Sequence, residues 1–160
     1  MIMIIWFIKD FILLPGKISL HMKEMEHLLK KLNYKGQDRI CIINSNKEFI
    51  EEIRRLKPEL RIDEEIDPKY LYNFFLIFVR NTDELKETAP RSIHNLSADG
   101  ILWFAYPKKN SRKYNSDLSR DTGWGVVIYH GFEPVRQVSV NEDWSALRFR
   151  DQRFIRRKKK

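Results

Sequence analysis

The chain contains few residues of the kinds that bind metals or form covalent cross-links. It has a single cysteine, Cys41, among 160 residues, so no disulfide bond can form within it. This composition is typical of a reducing compartment, and we expect a cytoplasmic protein. The four histidines are scattered, with no pair four residues apart and no cysteine partner, so a zinc site is not predicted. Because Cys41 lies in an apolar segment, we interpret it as a buried structural thiol.

Long hydrophobic runs are missing as well. The most apolar segment, residues 1–14, is interrupted by Lys9 and Asp10 and is too short to span a membrane as a helix. It has neither the basic start nor the cleavage site of a signal peptide, so we predict no integral membrane association. We interpret residues 1–21 as an extension outside the folded domain. It is either the product of a misassigned start, with Met22 as the native first residue, or a short helix on a membrane surface.

Positive charge exceeds negative charge, but it is unevenly distributed. The net charge is +8, and residues 156–160 contribute five of these charges, which leaves +3 for the rest of the chain. We interpret residues 151–160 as a basic tail that follows a near-neutral domain. A globally basic surface is therefore not predicted. Nucleic-acid binding through this tail and a basic loop stays open as an alternative.

The residues that are present fit one domain over residues 22–150. Hydrophobic residues make up 42% of the chain and aromatic residues 12%, which is enough for a core. Helical periodicity and capping signals predict four helices, over 22–33, 46–56, 82–98 and 117–130. Apolar runs predict six strands, over 39–43, 61–66, 74–79, 101–106, 135–140 and 144–149. This order predicts an α/β fold of three layers, Rossmann-like, with a mostly parallel sheet and a C-terminal antiparallel hairpin.

Local signals also predict where the helices begin and end. Ser45 and Glu48 have the spacing of a capping box, which makes Ser45 the expected N-cap of the second helix. Pro90 is expected to kink or split the third helix, because it has no backbone N–H and its ring clashes with the preceding turn. Asp99 and Gly100 are expected to close that helix.

The alternation of strands and helices resembles a class I methyltransferase domain. Such domains place a glycine-rich turn after the first strand and an acid at the end of the second. The matching turn here, residues 44–47, contains no glycine, whereas Asp63, Glu64 and Glu65 offer the acid. Because a Cβ atom in that turn hinders close approach of a ligand, we expect no bound cofactor. A divergent S-adenosylmethionine-dependent methyltransferase remains an alternative.

A basic loop follows the strand over 101–106. In open α/β sheets, ligands bind at the carboxyl ends of the strands, and cations beside hydroxyl groups hold anions. The predicted anion contacts are Lys108, Lys109, Ser111 and Arg112. The residues predicted to support this site are Asn44, Asp117, Arg136, Trp144 and Arg148.

The closing hairpin is predicted from its alternation. Trp144, Ala146 and Arg148 are expected on one face of the last strand, with Ser145, Leu147 and Phe149 on the other. Asp143 is expected to pair with Arg136 or Arg148 across the hairpin. These pairings would brace the edge of the sheet beside the basic loop.

Two motifs carry a more specific resemblance. The first is Tyr106-Pro107-Lys108-Lys109-x-Ser111, and the second is Trp144-Ser145-Ala146-Leu147-Arg148-Phe149-Arg150. With these motifs the chain resembles an uncharacterised bacterial domain family over residues 22–150. The resemblance implies a methyltransferase-like fold, no established activity and no assigned catalytic residue. Relatives tend to have a turn of the Asn-Ala-Pro kind where this chain has residues 44–46, so only Asn44 matches there.

Together these patterns favour a module without catalytic activity. We expect it to bind a small anionic ligand or a protein partner at the basic loop. No residue pattern predicts a catalytic group, because Ser145 has neither a nearby histidine nor the glycines of a nucleophile elbow.

Overall fold

The short apolar runs of the sequence form the central strands of one six-stranded sheet. The computed structural model describes residues 15–157. The strands are β1 (Arg39–Ile43), β2 (Arg61–Asp63), β3 (Tyr72–Phe78), β4 (Leu96–Pro107), β5 (Phe132–Ser139) and β6 (Trp144–Asp151). The helices are α1 (Pro15–Lys31), α2 (Lys47–Leu56), α3 (Thr82–His94) and α4 (Gly125–Tyr129), with a 3-10 turn at Gln152–Phe154.

The strand order is β2-β1-β3-β4-β6-β5. The first four strands in this order are parallel, and the β5–β6 hairpin joins β4 in antiparallel fashion. This topology confirms the predicted mostly parallel sheet with a C-terminal hairpin. The chain passes from β1 to β2 on one side and then crosses to β3 on the other side of β1. Ligands of open α/β sheets bind at such a switch point, outside the carboxyl ends of the strands.

Alternation along each strand divides the core into two layers. Ile40 and Ile42 of β1 pack with the buried leucines of α1 and with Ile50 of α2, whereas Cys41 packs with Leu85 of α3. Helices α1 and α2 therefore cover one face of the sheet, called here the α1/α2 face, and α3 and α4 cover the other, the α3/α4 face. In β6, Ala146 joins the first layer and Leu147 the second, as the alternation predicts.

Helix α1 is longer at its start than predicted and ends two residues earlier. It begins at Pro15 instead of residue 22, and the part of residues 1–21 before Pro15 lies outside the described residues. At its end the N–H groups of Asn33 and Tyr34 donate to the carbonyls of Lys30 and Leu29, at 3.0 and 2.9 Å. This is a Schellman motif with Asn33 at the left-handed position, at a φ of 61°.

Two predicted helix boundaries in the middle of the chain are wrong. Asn46, not Ser45, caps α2, because its side chain accepts a hydrogen bond from the Phe49 N–H at 2.9 Å. Helix α3 is not split at Pro90 and ends at His94. The buried side chains of Ala89 and Ser92 flank the proline and hold the last turn against the sheet.

Asp99 and Gly100 do not close a helix but form a bulge within β4. Between its pairings with β3 at Leu96 and Ile101, β4 contains several extra residues, and Asp99 adopts a φ of 53°. Both Asp99 carboxylate oxygens accept hydrogen bonds from Arg150 at 2.8 Å, which ties the bulge to β6.

The helix predicted over 117–130 is reduced to the short α4. Asp117 accepts hydrogen bonds from the Thr82 N–H at 2.9 Å and the Thr82 hydroxyl at 2.5 Å. Ser119 and Thr122 bond to one another at 2.6 Å, and Gly123 has a φ of 96°. Short polar side chains that bond locally offer the backbone an alternative to a helix, and here they do so.

Candidate functional site

A crevice of about 850 Å³ lies where β1, β2 and β3 end, at the switch point of the sheet. Its volume is in the range of small-molecule sites. The turn after β1, the segment after β2, the exposed side of α3 and the start of β6 all contribute to it. The lining residues are Ile43, Asn44, Ser45, Asn46, Phe49, Glu64, Glu65, Ile66, Phe78, Arg80, Glu84, Glu87, Thr88, Arg91, Tyr114, Asn141 and Trp144.

The turn after β1 adopts, without glycine, a conformation that glycine favours. Asn44 has a φ of 61°, in the left-handed region, which asparagine enters more readily than most residues. Asn46 then caps α2, so the turn passes directly from strand to helix. The crevice reaches Asn44, Ser45 and Asn46, so the side chains of this turn do not fill the space beside β1.

The three acids at and directly after the end of β2 differ in the direction of their carboxylates. Asp63 is turned inward, where Arg39 contacts it at 2.6 Å, Arg61 donates to it at 3.1 Å, and the Tyr72 hydroxyl also donates to it. Burial acts to raise the pKa of Asp63, but the hydrogen bonds from Tyr72 and the arginines outweigh it and hold that pKa below its usual range. The Asp63 carboxylate is therefore occupied by contacts within the fold and is not available to a ligand.

Glu64 and Glu65 face the crevice instead. Glu64 forms an exposed ion pair with Arg54 at 3.7 Å. Glu65 is exposed and has no ion-pair partner within residues 15–157. Of the three acids predicted from sequence, Glu65 is thus the one left available to accept hydrogen bonds from a ligand.

Aromatic side chains form one wall of the crevice. The ring centroids of Phe49 and Phe78 lie 5.4 Å apart, and those of Phe78 and Trp144 lie 5.2 Å apart, both in edge-to-face contact. Tyr114 extends the series, with its ring 5.2 Å from that of Trp144. Such a wall presents apolar area and ring faces that can hold a flat heterocycle or a cation.

The charged groups of the crevice are mainly acidic. Glu64, Glu65, Glu84 and Glu87 line it, against the two cations Arg80 and Arg91. Arg80 is already paired with Glu84, since its Nε donates to that carboxylate at 3.0 Å. These α3 residues were not predicted from the sequence, although Glu84, Glu87 and Arg91 recur at the three- and four-residue spacing of one helix face. After the pairings of Glu84 with Arg80 and of Glu64 with Arg54, the carboxylates of Glu65 and Glu87 remain against Arg91, so the free charge of the crevice is negative.

The basic loop predicted as an anion site is divided by the structure. Lys108 and Lys109 line a separate depression, and the Lys108 ammonium donates to the Ser139 hydroxyl at 2.7 Å. Ser111 instead donates to Asp143 at 2.8 Å. Arg112 is exposed and lines neither cavity. The four predicted anion contacts thus do not converge on one point.

The predicted supporting residues are also spread over the molecule. Asn44 and Trp144 line the crevice, and Asp117 ties its loop to Thr82. Arg136 is exposed on β5, opposite Arg148 of β6. The Arg148 Nε is buried and has no hydrogen-bond partner within residues 15–157, and burial lowers its pKa.

The predicted ion pair of Asp143 with Arg136 or Arg148 is wrong. Asp143 contacts Lys113 of the basic loop at 3.8 Å and accepts the Ser111 hydrogen bond. Its backbone carbonyl also accepts from the Lys108 N–H at 2.8 Å. Asp143 precedes β6 at the tip of the hairpin, so its side chain reaches the adjacent loop instead of crossing the hairpin.

Other chemistry is limited in the part of the chain that the structure describes. Cys41 is fully buried, and burial raises the pKa of its thiol to about 12. Within residues 15–157, no three His, Cys, Asp or Glu side chains are grouped as metal ligands. None of the helices over these residues combines the length and apolar character that crossing a bilayer requires.

Comparison with known proteins adds evidence on the fold. No protein-family profile matches the chain, and no curated protein matches it in sequence. A SAM-dependent methyltransferase from Aquifex aeolicus is similar in structure, with a TM-score of 0.56 and 12% identity over 86% of this chain and 98% of that one. The N-methyltransferase NodS from Bradyrhizobium japonicum, in complex with S-adenosyl-l-homocysteine, gives a TM-score of 0.52 and 14% identity over 86% and 88% of the chains.

A third similar structure is the glycopeptide N-methyltransferase MtfA complexed with sinefungin. It gives a TM-score of 0.52 and 6% identity over 80% of this chain and 92% of that one. The resemblance to an uncharacterised bacterial family stays a prediction. Identities this low establish a common fold and no common activity, so the chain has a methyltransferase-like Rossmann fold.

Proposed function

We propose that the crevice binds S-adenosylmethionine and that the protein is a divergent methyltransferase. The observation that carries this proposal is the combination of an acidic lining and an aromatic wall at the switch point of the sheet. S-adenosylmethionine has a sulfonium and an ammonium group against one carboxylate, so it carries net positive charge. Carboxylates that outnumber free cations attract such a ligand, whereas they repel the phosphates of a dinucleotide.

The residues of the crevice suit the parts of this ligand. Glu65, two residues after β2, can accept hydrogen bonds from the two ribose hydroxyls. Phe49, Phe78 and Trp144 offer apolar contact to an adenine ring and ring faces to a sulfonium. Arg91 has no ion-pair partner within residues 15–157 and can pair with the ligand carboxylate.

Such a ligand supplies an electrophilic methyl group, which the lone pair of an acceptor takes as the carbon–sulfur bond breaks. The chain itself would bind and orient the donor and keep an aromatic wall beside the reacting carbon. None of the crevice residues needs to act as a nucleophile. The low reactivity expected for the buried Cys41 is consistent with this division of roles.

Titration calorimetry tests the proposal with S-adenosylmethionine, S-adenosylhomocysteine and NAD⁺. We expect saturable binding of the first two and none of the third. Glu65→Gln should weaken binding by about tenfold, since it removes a charge-assisted hydrogen bond on the order of 1.5 kcal/mol. The matched control is Glu59→Gln, an exposed acid that does not line the crevice, and it should leave affinity unchanged. Absence of S-adenosylmethionine binding, or a preference for NAD⁺, would contradict the proposal.

Nucleic-acid binding through tail and loop together is less well supported. Arg157 of the tail contacts Glu133 at 2.8 Å, near the start of β5. The basic loop instead lies by Ser139, at the other end of the same strand. Six residues of strand separate the two contacts by about 20 Å. The tail, as far as Arg157, and the basic loop therefore do not form one continuous basic surface.

A further inference from the structure

A second depression lies beside the basic loop, and it shares no lining residue with the crevice. Its volume is about 340 Å³. It is bordered by the end of β4, by the loop before α4 and by the hairpin β5–β6. The crevice and the depression lie on either side of the loop over 108–115, because Tyr114 lines the former and Lys108 and Lys109 line the latter.

Three cations surround this depression. Lys108, Lys109 and Arg120 line it, against the single carboxylate of Asp121. Lys109, Arg120 and Asp121 are exposed, and no ion pair within residues 15–157 involves any of them. The depression therefore has a net positive charge, in contrast to the acidic crevice.

The hydroxyl groups of two largely buried residues also line the depression. Ser145 is 7% exposed, and its hydroxyl has no hydrogen-bond partner within residues 15–157. Tyr106 is 3% exposed, and its oxygen accepts a hydrogen bond from Gln137 at 2.9 Å. Its own O–H has no acceptor among the described residues, and burial raises its pKa, which keeps the proton in place. Both hydroxyl groups line the depression, and each O–H is free to donate a hydrogen bond to a ligand bound there.

We propose that this depression binds the phosphate group of a small phosphorylated ligand. Lys109 and Arg120 would pair with the phosphate oxygens, and Ser145 and Tyr106 would donate hydrogen bonds to them. A compact oxyanion fits because it offers several acceptors within the reach of donors on three different segments. This site differs from the one predicted on sequence, since Arg120 and Ser145 take the places expected for Arg112 and Ser111. The proposal stands independently of S-adenosylmethionine binding.

The test is calorimetric titration with inorganic phosphate and with phosphoserine at low ionic strength, because salt screens exposed charges. We expect saturable binding of both, weakened about tenfold by Arg120→Gln and roughly threefold or more by Ser145→Ala. The matched control is Arg112→Gln, which removes an exposed cation of the neighbouring basic loop that lines neither cavity. It should change affinity by less than about twofold. S-adenosylmethionine binding should be the same in all three variants.

Several outcomes overturn this proposal. The first is absence of saturable phosphate binding to the unaltered protein. The second is equal weakening by Arg112→Gln and Arg120→Gln, because that pattern indicates diffuse attraction to a basic loop. The third is much tighter binding of a single-stranded oligonucleotide that both variants weaken equally, which indicates a polyanion surface. Unfolding midpoints close to that of the unaltered chain would confirm that Arg120→Gln and Ser145→Ala remain folded.

Discussion

The indole N–H of Trp103 donates to the backbone carbonyl of Leu32 at 2.8 Å, across 71 residues of sequence. Trp103 is fully buried in β4, and Leu32 follows the last turn of α1. The bond satisfies a carbonyl at a helix end, where intrahelical partners run out. It also attaches the first helix to the centre of the sheet.

We expect Trp103→Phe to lower the free energy of unfolding by about 2–4 kcal/mol, through a smaller side chain and a buried carbonyl left without a donor. The measurement is urea unfolding followed by circular dichroism. Trp124→Phe is the matched control, because the Trp124 indole donates at 2.7 Å to Ser119, only five residues away. The decrease in the free energy of unfolding should be smaller for Trp124→Phe than for Trp103→Phe. Equal decreases in the free energy of unfolding would show that the hydrogen bond from Trp103 to α1 contributes no more to stability than the local one from Trp124.

Because Asn44 has a left-handed backbone conformation, stability should depend on the shape of the side chain at this position. Asn44→Gly should preserve stability, because glycine adopts a φ of 61° without strain. Asn44→Val should destabilise the fold by about 1–2 kcal/mol, since a β-branched residue is strained there. Asn115→Val serves as the control, because Asn115 is exposed and has no positive φ. Thermal unfolding of the three variants distinguishes these effects, and an unstrained Asn44→Val would argue against the turn as described.

Arg39, the first residue of β1, contacts Asp63, the last residue of β2, and its replacement should lower the stability of the fold. Its guanidinium contacts Asp63 at 2.6 Å and Asp67 at 3.0 Å, with side chains of Arg39 and Asp63 only 14% and 12% exposed. Arg39→Gln leaves Asp63 short of a partner and should lower the denaturant midpoint of unfolding by more than the loss of an exposed ion pair does. Arg54→Gln is the control: it breaks the exposed pair with Glu64 and should cost less than about 1 kcal/mol.

The same network predicts how stability changes in acid. The pKa of Asp63 is held below its usual range, because the hydrogen bonds from Tyr72 and the arginines outweigh the effect of burial. The stability it contributes is therefore present above about pH 4 and is lost as pH falls through the lowered pKa. Unfolding measured between about pH 5 and pH 2 should show a shallower loss in Asp63→Asn than in the unaltered chain. An identical acid dependence would contradict this role.

At alkaline pH, deprotonation of Cys41 and Tyr72 should lower the stability of the fold. Burial raises the pKa of Cys41 to about 12, and burial followed by the hydrogen bond to Asp63 raises that of Tyr72 to about 12. Both groups are neutral in the folded state, so their contribution is complete below about pH 8.5 and is lost as pH rises toward 12. Cys41→Ala should be less stable at neutral pH and lose stability less steeply above about pH 9. A parallel pH profile would exclude the thiol as a cause.

Much of the architecture follows from local sequence. The apolar runs around Ile42 and Leu76 can be buried only as central strands, and the period-two alternation of β6 assigns Ala146 and Leu147 to opposite layers. Short, right-handed connections then restrict the strand orders that such a chain can adopt, but the sequence does not select one of them. For these reasons the sheet and its closing hairpin are predictable from the sequence.

The candidate sites depend on contacts between distant residues. Asp63, Glu64 and Glu65 are all acidic in the sequence. Contacts with Arg39, Arg61 and Tyr72 hold the Asp63 carboxylate inward, while Glu65 faces the crevice. Arg120 reaches the basic depression because Asp117 bonds to Thr82 and the predicted helix does not form. Residue types and periodicity determined the layers of this protein, since burial of apolar side chains depends on local spacing. Tertiary structure alone decided which charges are neutralised and which remain to bind a ligand, because charges pair across space and not along the chain.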